Sequence, residues 1–233
     1  MAEAGRAVHT ILDRDGACDS SEQRRIAVTD SAWISNVLAD PELVLLMETD
    51  IVAADADRAI EALNMLKAGR PVPPELCPKQ VWGGETAEWV NGTPDLFLAN
   101  TYPIVSERAA DVLRRFDLGG GGLYPVDEVL QKDRATPVPG SFFCWIFGNS
   151  KSAFAATESP DARPFAGPNS GRWKMPFVHK DDQMAVSGAA LGGPDVWVDP
   201  TLFKSVFVSG RLGDALDEAG LRKAFRLYRC RVV

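Results

Sequence analysis

The chain has 233 residues, a length that suits one or two domains. Its 45% hydrophobic and 24% charged residues are globular values and exclude a disordered or low-complexity scaffold. Its 25 Lys and Arg against 32 Asp and Glu give a net charge of −7, a field that repels nucleic-acid phosphates and anionic lipid.

Residues 1 to about 22 are polar, without the apolar core of a secretory signal, and read as a peripheral lead-in. Arg25–Val28 is a short strand candidate. Leu43–Met47 is an apolar run of strand or buried-helix type. Asp57–Lys67 reads as a helix whose face of Ile60, Leu63 and Leu66, with Ala59 and Ala62, is apolar, and Gly69 stops it. Pro71, Pro73, Pro74 and Pro78 then break regular structure. That break is the best internal boundary, dividing an N-terminal lobe of residues 1–90 from a domain of residues 91–233.

Beyond it, Leu96–Leu98 is a strand candidate, and a helix is expected over Ser106–Phe116 with Ser106 as its cap. Strand candidates follow at 123–129, 142–147 and 184–190, and the Pro- and Gly-rich stretch Ser159–Gly171 reads as a long surface loop. Val206–Val208, a helix over 209–219 and a strand over 224–232 close the chain. The basic cluster Arg222, Lys223, Arg226, Arg229 and Arg231 reads as the solvated face of that last strand. Strands and helices without regular alternation imply an α+β fold, a mixed or antiparallel sheet with a few packed helices. Val105–Leu113 and Val208–Leu216 agree at five of nine positions at an offset of 103, and a Leu-Tyr pair follows each. Because capped amphipathic helices share such residues, the echo is read as common local chemistry rather than duplication.

The chemical census is sparse. His9 and His179 lie far apart in sequence, and Cys18, Cys77, Cys144 and Cys230 form no Cys-x-x-Cys pair, so neither metal nor cofactor is expected. Without a signal, the chain is expected in a reducing cytoplasm, with all four thiols free. Asp181 and Asp182 beside His179 could seed acid–base chemistry, but no nucleophile signature accompanies them. Gly119–Gly122 is followed by Leu-Tyr-Pro, so it is no phosphate loop. The six tryptophans are scattered rather than interleaved with basic residues, as base stacking would require. No catalytic residue is assigned.

Several patches in the second half form a recognisable order. They are Pro94-Asp95-Leu96-Phe97, Ile104–Arg108, Asp111-Val112-Leu113, Leu123–Val126, Phe142–Asn149, Asp195-Val196-Trp197, Phe207-Val208-Ser209 and Ala219-Gly220-Leu221. Over roughly residues 90–233 this resembles a bacterial family of immunity proteins encoded beside polymorphic or contact-delivered toxins. The resemblance implies a cytoplasmic, non-catalytic protein that occludes one cognate toxin, and the acidic charge would suit a basic toxin. Trp82, Trp89, Trp173 and Trp197, with Asp181 and Asp182, are the candidate contacts to that partner, since flanking Gly and Pro place the tryptophans near loops. Two other functions remain open: an enzyme that reverses a toxin's modification, and a non-catalytic adaptor.

Overall fold

Side-chain caps set where the helices begin. Thr49 accepts from the Val52 N–H to open α1 (Asp50–Ala54), and Asp55 accepts from Arg58 to open α2 (Ala56–Lys67). Ser106 and Ser209 do the same for α3 (Glu107–Leu113) and α4 (Gly210–Glu218), by accepting from the N–H groups of Ala109 and Leu212. Each oxygen satisfies a donor that the first helical turn leaves orphaned. The computed structural model describes residues 31–83, 92–167 and 169–233. The expected strand at Arg25–Val28 lies outside them, as do His9, Cys18 and Trp89.

In chain order the strands are β1 (Ala32–Ser35), β2 (Val44–Thr49), β3 (Gln80–Gly83), β4 (Leu96–Ala99), β5 (Tyr102–Ser106), β6 (Gly122–Val126) and β7 (Glu128–Leu130). They continue with β8 (Phe142–Ile146), β9 (Arg163–Phe165), β10 (Arg172–Lys174), β11 (Met184–Val186), β12 (Val196–Trp197), β13 (Val206–Ser209) and β14 (Leu227–Val232). A seven-stranded mixed sheet runs β6–β8–β5–β4–β2–β3–β7, and a five-stranded one runs β11–β14–β1–β13–β12. Strands β9 and β10 form a separate antiparallel hairpin. The fold is α+β, as expected.

Three local expectations change. Ile60 is exposed, because the buried face of α2 is Ala59, Ala62 and Leu66, one step around the helix. The stretch read as a long loop carries β9, since Arg163–Phe165 find ladder partners in β10. The proline-rich stretch does not separate two lobes. β1 is the central strand of the five-stranded sheet, β2 and β3 belong to the seven-stranded one, and Trp33, Leu66 and Val81 share one core cluster with Leu113, Trp145 and Leu216. Proline marks where backbone donors end, and it does so inside a core as readily as between domains.

The helix echo belongs to a larger repeat. Hairpin β4–β5, α3 and β6 form a four-stranded antiparallel unit ordered β6–β8–β5–β4. Hairpin β12–β13, α4 and β14 form another, ordered β14–β1–β13–β12. The registers coincide. Phe142 faces Ser106 on one side and Val126 on the other, as Ala32 faces Ser209 and Cys230. Tyr124 and Tyr228 therefore occupy the same ladder position, opposite Cys144 and Ile34. The inserted strands are exchanged: β1 precedes the first unit and pairs in the second, while β8 precedes the second and pairs in the first. Reading the echo as local chemistry alone is corrected by this matching of topology and register.

Each unit is latched by the same three residue types. The Ser106 hydroxyl donates to Asp95 Oδ1 at 2.7 Å and Arg108 donates to Asp95 Oδ2 at 2.8 Å. In the second unit the Ser209 hydroxyl donates to Asp195 Oδ1 at 2.5 Å, and Arg211 makes two bonds of 2.7 Å to that carboxylate. Each latch also grips the other unit's helix end. Arg108 donates to the Ala219 carbonyl after α4, and the Asp117 N–H after α3 donates to Asp195 at 2.8 Å.

Candidate functional site

The two units differ in the eight residues that link each helix to the strand after it, 114–121 before β6 and 219–226 before β14. Matched by ladder register, Gly119–Gly122 correspond to Lys223–Arg226. In the first unit the glycines lay backbone directly on the end of β8. A Cβ on Gly121 would stand 2.3 Å from the Ile146 carbonyl oxygen, and one on Gly120 2.8 Å from that of Gly148. The glycine run is thus a packing device and leaves no room for a ligand. In the second unit the link bears side chains, and beside it opens a groove of about 1080 Å³.

Four segments border the groove: Asn36–Glu42 after β1, Lys174–His179 from the end of β10, Phe203 and Ser205 before β13, and the stretch from Asp217 in α4 to Tyr228 in β14. Its charges are largely committed. Arg226 donates to Asp40 at 2.6 Å and to Glu42 at 2.9 Å. Arg222 binds both oxygens of Asp181 at 2.7 and 2.8 Å. Burial would push the Asp181 carboxyl up, but the Arg229 amide and the Arg222 guanidinium outweigh it and hold it below the usual carboxylate range. His179 stacks on Tyr228 with ring centroids 5.1 Å apart, and burial pushes its imidazole below the ordinary histidine value, against the opposing pull of Asp40. Asn36 is nine-tenths buried, and its side-chain oxygen has no donor among the described residues.

The hairpin side of the groove is cationic. From Ala162 to Lys180 the sequence holds Arg163, Arg172, Lys174 and Lys180 and no Asp or Glu. Aromatic rings lie beneath most of these charges. Arg163 sits 4.6 Å from the Phe177 centroid, and Arg172 covers Phe165 and Phe203, which stack at 3.9 Å. Lys174 and Lys204 lie within 6 Å of Phe177 and Phe203 respectively, inside the range of cation–π attraction. Among the described residues none of these five cations meets a carboxylate within ion-pair distance. The expectation that tryptophans stand apart from basic residues therefore fails at Arg172-Trp173-Lys174. The acid-free run was legible in the sequence. Its aromatic partners are mainly phenylalanines, Phe165, Phe177 and Phe203, rather than tryptophans.

The candidate contacts fall differently. Trp82 is buried, its Nε1 donates to Glu48 at 3.0 Å, and Arg134 covers its ring. Trp197 is wholly buried beneath Lys151, and Trp173 is half-buried against the second core cluster. Large rings gain most from leaving water, which corrects the reading of Trp82 and Trp197 as partner anchors. The exposed apolar residues at the groove are instead Phe177 at 77% and its neighbour Val178 at 63%. Asp181 is at the groove's edge but bound as described, and the Asp182 N–H donates to the Arg229 carbonyl. His179, Asp181 and Asp182 thus form no relay among themselves.

The basic C-terminal cluster is likewise not a plain solvated face, since Arg222 and Arg226 build the groove wall. Cys77, Cys144 and Cys230 are buried free thiols, and burial pushes those of Cys144 and Cys230 up. Among the described residues no group of three or more His, Cys, Asp or Glu is placed to hold a metal, and no helix is long and apolar enough to cross a membrane. Comparisons with protein-family models, curated proteins and solved structures find no match to the chain.

Proposed function

We propose that this chain is a non-catalytic binding protein of the immunity type, which neutralises one partner toxin by forming a stoichiometric complex through the groove of its second unit. One observation carries the reading. The groove is open and bordered by an exposed Phe177, while its carboxylates Asp40 and Glu42, and Asp181 at its edge, are bound by Arg226 and Arg222, and His179 is stacked on Tyr228 with no carboxylate bonded to it among the described residues. A general base needs a free lone pair facing substrate. A docking surface needs a stiff wall and an exposed anchor. The patches that resemble immunity proteins support the choice of a toxin as partner. They include the first Asp-Ser-Arg latch and the Asp195 and Ser209 of the second, so what they specify physically is the framework that positions the groove.

The test is co-expression with the product of the neighbouring toxin gene, followed by native mass spectrometry and a protection titration. The expected outcome is a 1:1 complex, protection that saturates at about one copy per toxin, and loss of both with Phe177→Asp. Protection by one copy of many toxin molecules would replace occlusion with catalysis. A protein that forms no complex with that toxin would defeat the reading.

A further inference from the structure

We infer that the groove accepts an acidic peptide segment carrying an apolar side chain, although the chain as a whole is acidic. The inference rests on the proposed binding function only in taking a protein as the source of that segment.

Two independent features lead there. The first is local charge. Lys223 stands in the linker where the first unit has glycine, and Lys174 lines the same groove; among the described residues neither has a carboxylate partner. Around them Arg163, Arg172, Lys180 and Lys204 are equally unpaired among the described residues, whereas the groove's carboxylates Asp40, Glu42 and Asp217, with Asp181 at its edge, are engaged by Arg222 and Arg226. A chain of net charge −7 that gathers unpaired cations on one lobe presents there a field opposite to its own.

The second feature is apolar. Phe177 and Val178 are among the most exposed large hydrophobic side chains, and Phe177 lines the groove. A peptide supplies both complements: carboxylates for Lys174 and Lys223, and an apolar side chain for Phe177. A nucleic-acid strand would offer phosphates and base faces instead, but Arg163 and Lys174 already lie close to the Phe177 ring, the surface on which a base would stack.

The probe is a fluorescein-labelled peptide of four Glu-Glu-Phe repeats. Controls are a peptide of four Lys-Lys-Phe repeats and a single-stranded oligothymidine of twelve nucleotides, all read by fluorescence anisotropy with the full chain. The glutamate peptide should bind at least about tenfold tighter than the lysine peptide, a difference of about 1.4 kcal/mol. The preference should shrink as salt shortens the Debye length from about 10 Å at 0.1 M to about 3 Å at 1 M. Lys174→Glu with Lys223→Glu should abolish or invert it, and Phe177→Ala should weaken both peptides alike. Thermal melts that match the unaltered chain establish that these variants fold, and Lys174→Gln with Lys223→Gln provides a milder pair.

Equal binding of both peptides, or of neither, overturns the inference. Binding of oligothymidine with no glutamate-peptide binding overturns it in favour of a nucleic acid. Self-association lost in the same variants makes a second copy the occupant and also overturns it. If the toxin complex fails to form while the peptide preference holds, the proposed function is wrong and the groove assignment stands. If the complex forms but tolerates Lys174→Glu with Lys223→Glu, the acidic-segment assignment is wrong, and neutralisation by a stoichiometric complex stands without that segment.

Discussion

The two latches offer an internal control, because the same three residue types sit in different surroundings. The Asp195 side chain is 1% exposed and that of Asp95 24%. Asp195→Ala removes the acceptor for the Ser209 hydroxyl at 2.5 Å and the Asp117 N–H at 2.8 Å. Both bonds are partly buried, so each group left unsatisfied falls in the lower half of about 1–3 kcal/mol. The Arg211 side chain is 58% exposed, so it regains water and adds little. The sum is about 3 kcal/mol.

Asp95→Ala strands one group rather than two, the Ser106 hydroxyl, which like that of Ser209 still caps its helix, and does so beside a carboxylate that water already reaches, so about 1 kcal/mol is expected. For a chain of this length 1 kcal/mol shifts the melting midpoint by about 2–4 °C, so the variants should differ by about 4–8 °C. Urea unfolding with a common m-value reads the same gap as a difference in midpoint. Asp195→Asn keeps one oxygen and should fall between them. Equal losses at 95 and 195, or a loss below about 1 kcal/mol at 195, would refute the claim that burial rather than residue type sets the strength of the latch.

Two further perturbations test the packing and the electrostatics. Gly213 in α4 is matched by Ala110 in α3, but a Cβ on Gly213 would stand 2.0 Å from Trp33 Cδ1. Overpacking of about 1–3 kcal/mol should outweigh the roughly 1 kcal/mol of helix propensity that alanine brings. Gly213→Ala should therefore lower the melting temperature, and Trp33→Phe, which copies the matching Phe143, should recover part of the loss; a single variant that melts higher contradicts this. Asp181 and Asp195 are both held below the usual carboxylate range, burial being outweighed by their hydrogen-bond donors. The unfolded chain thus binds protons more readily, and their contribution, complete above the unfolded value of about 3.9, is lost as pH falls through the folded values. His179, pushed down by burial, adds a loss of the same sign below its unfolded value of about 6.5. The urea midpoint should fall from pH 7 to about pH 3, less steeply at the acid end in Asp195→Asn, and a midpoint that rises on acidification would contradict the assignment.

What the sequence disclosed and what it hid divide along the range of the interactions. The caps at Ser106 and Ser209 were legible because a cap is decided within four residues, and so were the glycine stops. The partner of β1 was not, since Trp33 lies opposite Val208 and Arg229, which no local pattern can specify. The repeat was half legible for a geometric reason. Asp95 and Asp195 differ by 100, Ser106 and Ser209 by 103, and Tyr124 and Tyr228 by 104, so a comparison at one fixed offset sees the helix alone. The loops inside each unit change length while the ladder does not. The groove was hidden for the same reason: the correspondence of Lys223–Arg226 with four glycines becomes visible only through strand register.

The divergence of that linker also explains why the groove can stay open without weakening the fold. In the first unit, backbone lies on backbone and the glycines remove the cavity. In the second, Phe225 occupies the position of Gly121 and takes over its packing. Its ring is buried and lies 5.5 Å from that of Trp145, and its carbonyl accepts the Ser35 hydroxyl at 2.6 Å. One buried side chain thus anchors the middle of the link, which lets its flanks, Lys223 and Arg226, stand at the groove without support from the core. Arg226 is fixed in turn by Asp40 and Glu42 from the segment after β1, the exchanged strand. The wall is therefore built from the two ends of the described chain, clamped before any ligand arrives. A wall ordered in advance loses little conformational entropy on binding, so a modest set of contacts can yield useful affinity. Lys223, with no carboxylate partner among the described residues, is the exception on that wall and leaves a charge for a partner to neutralise.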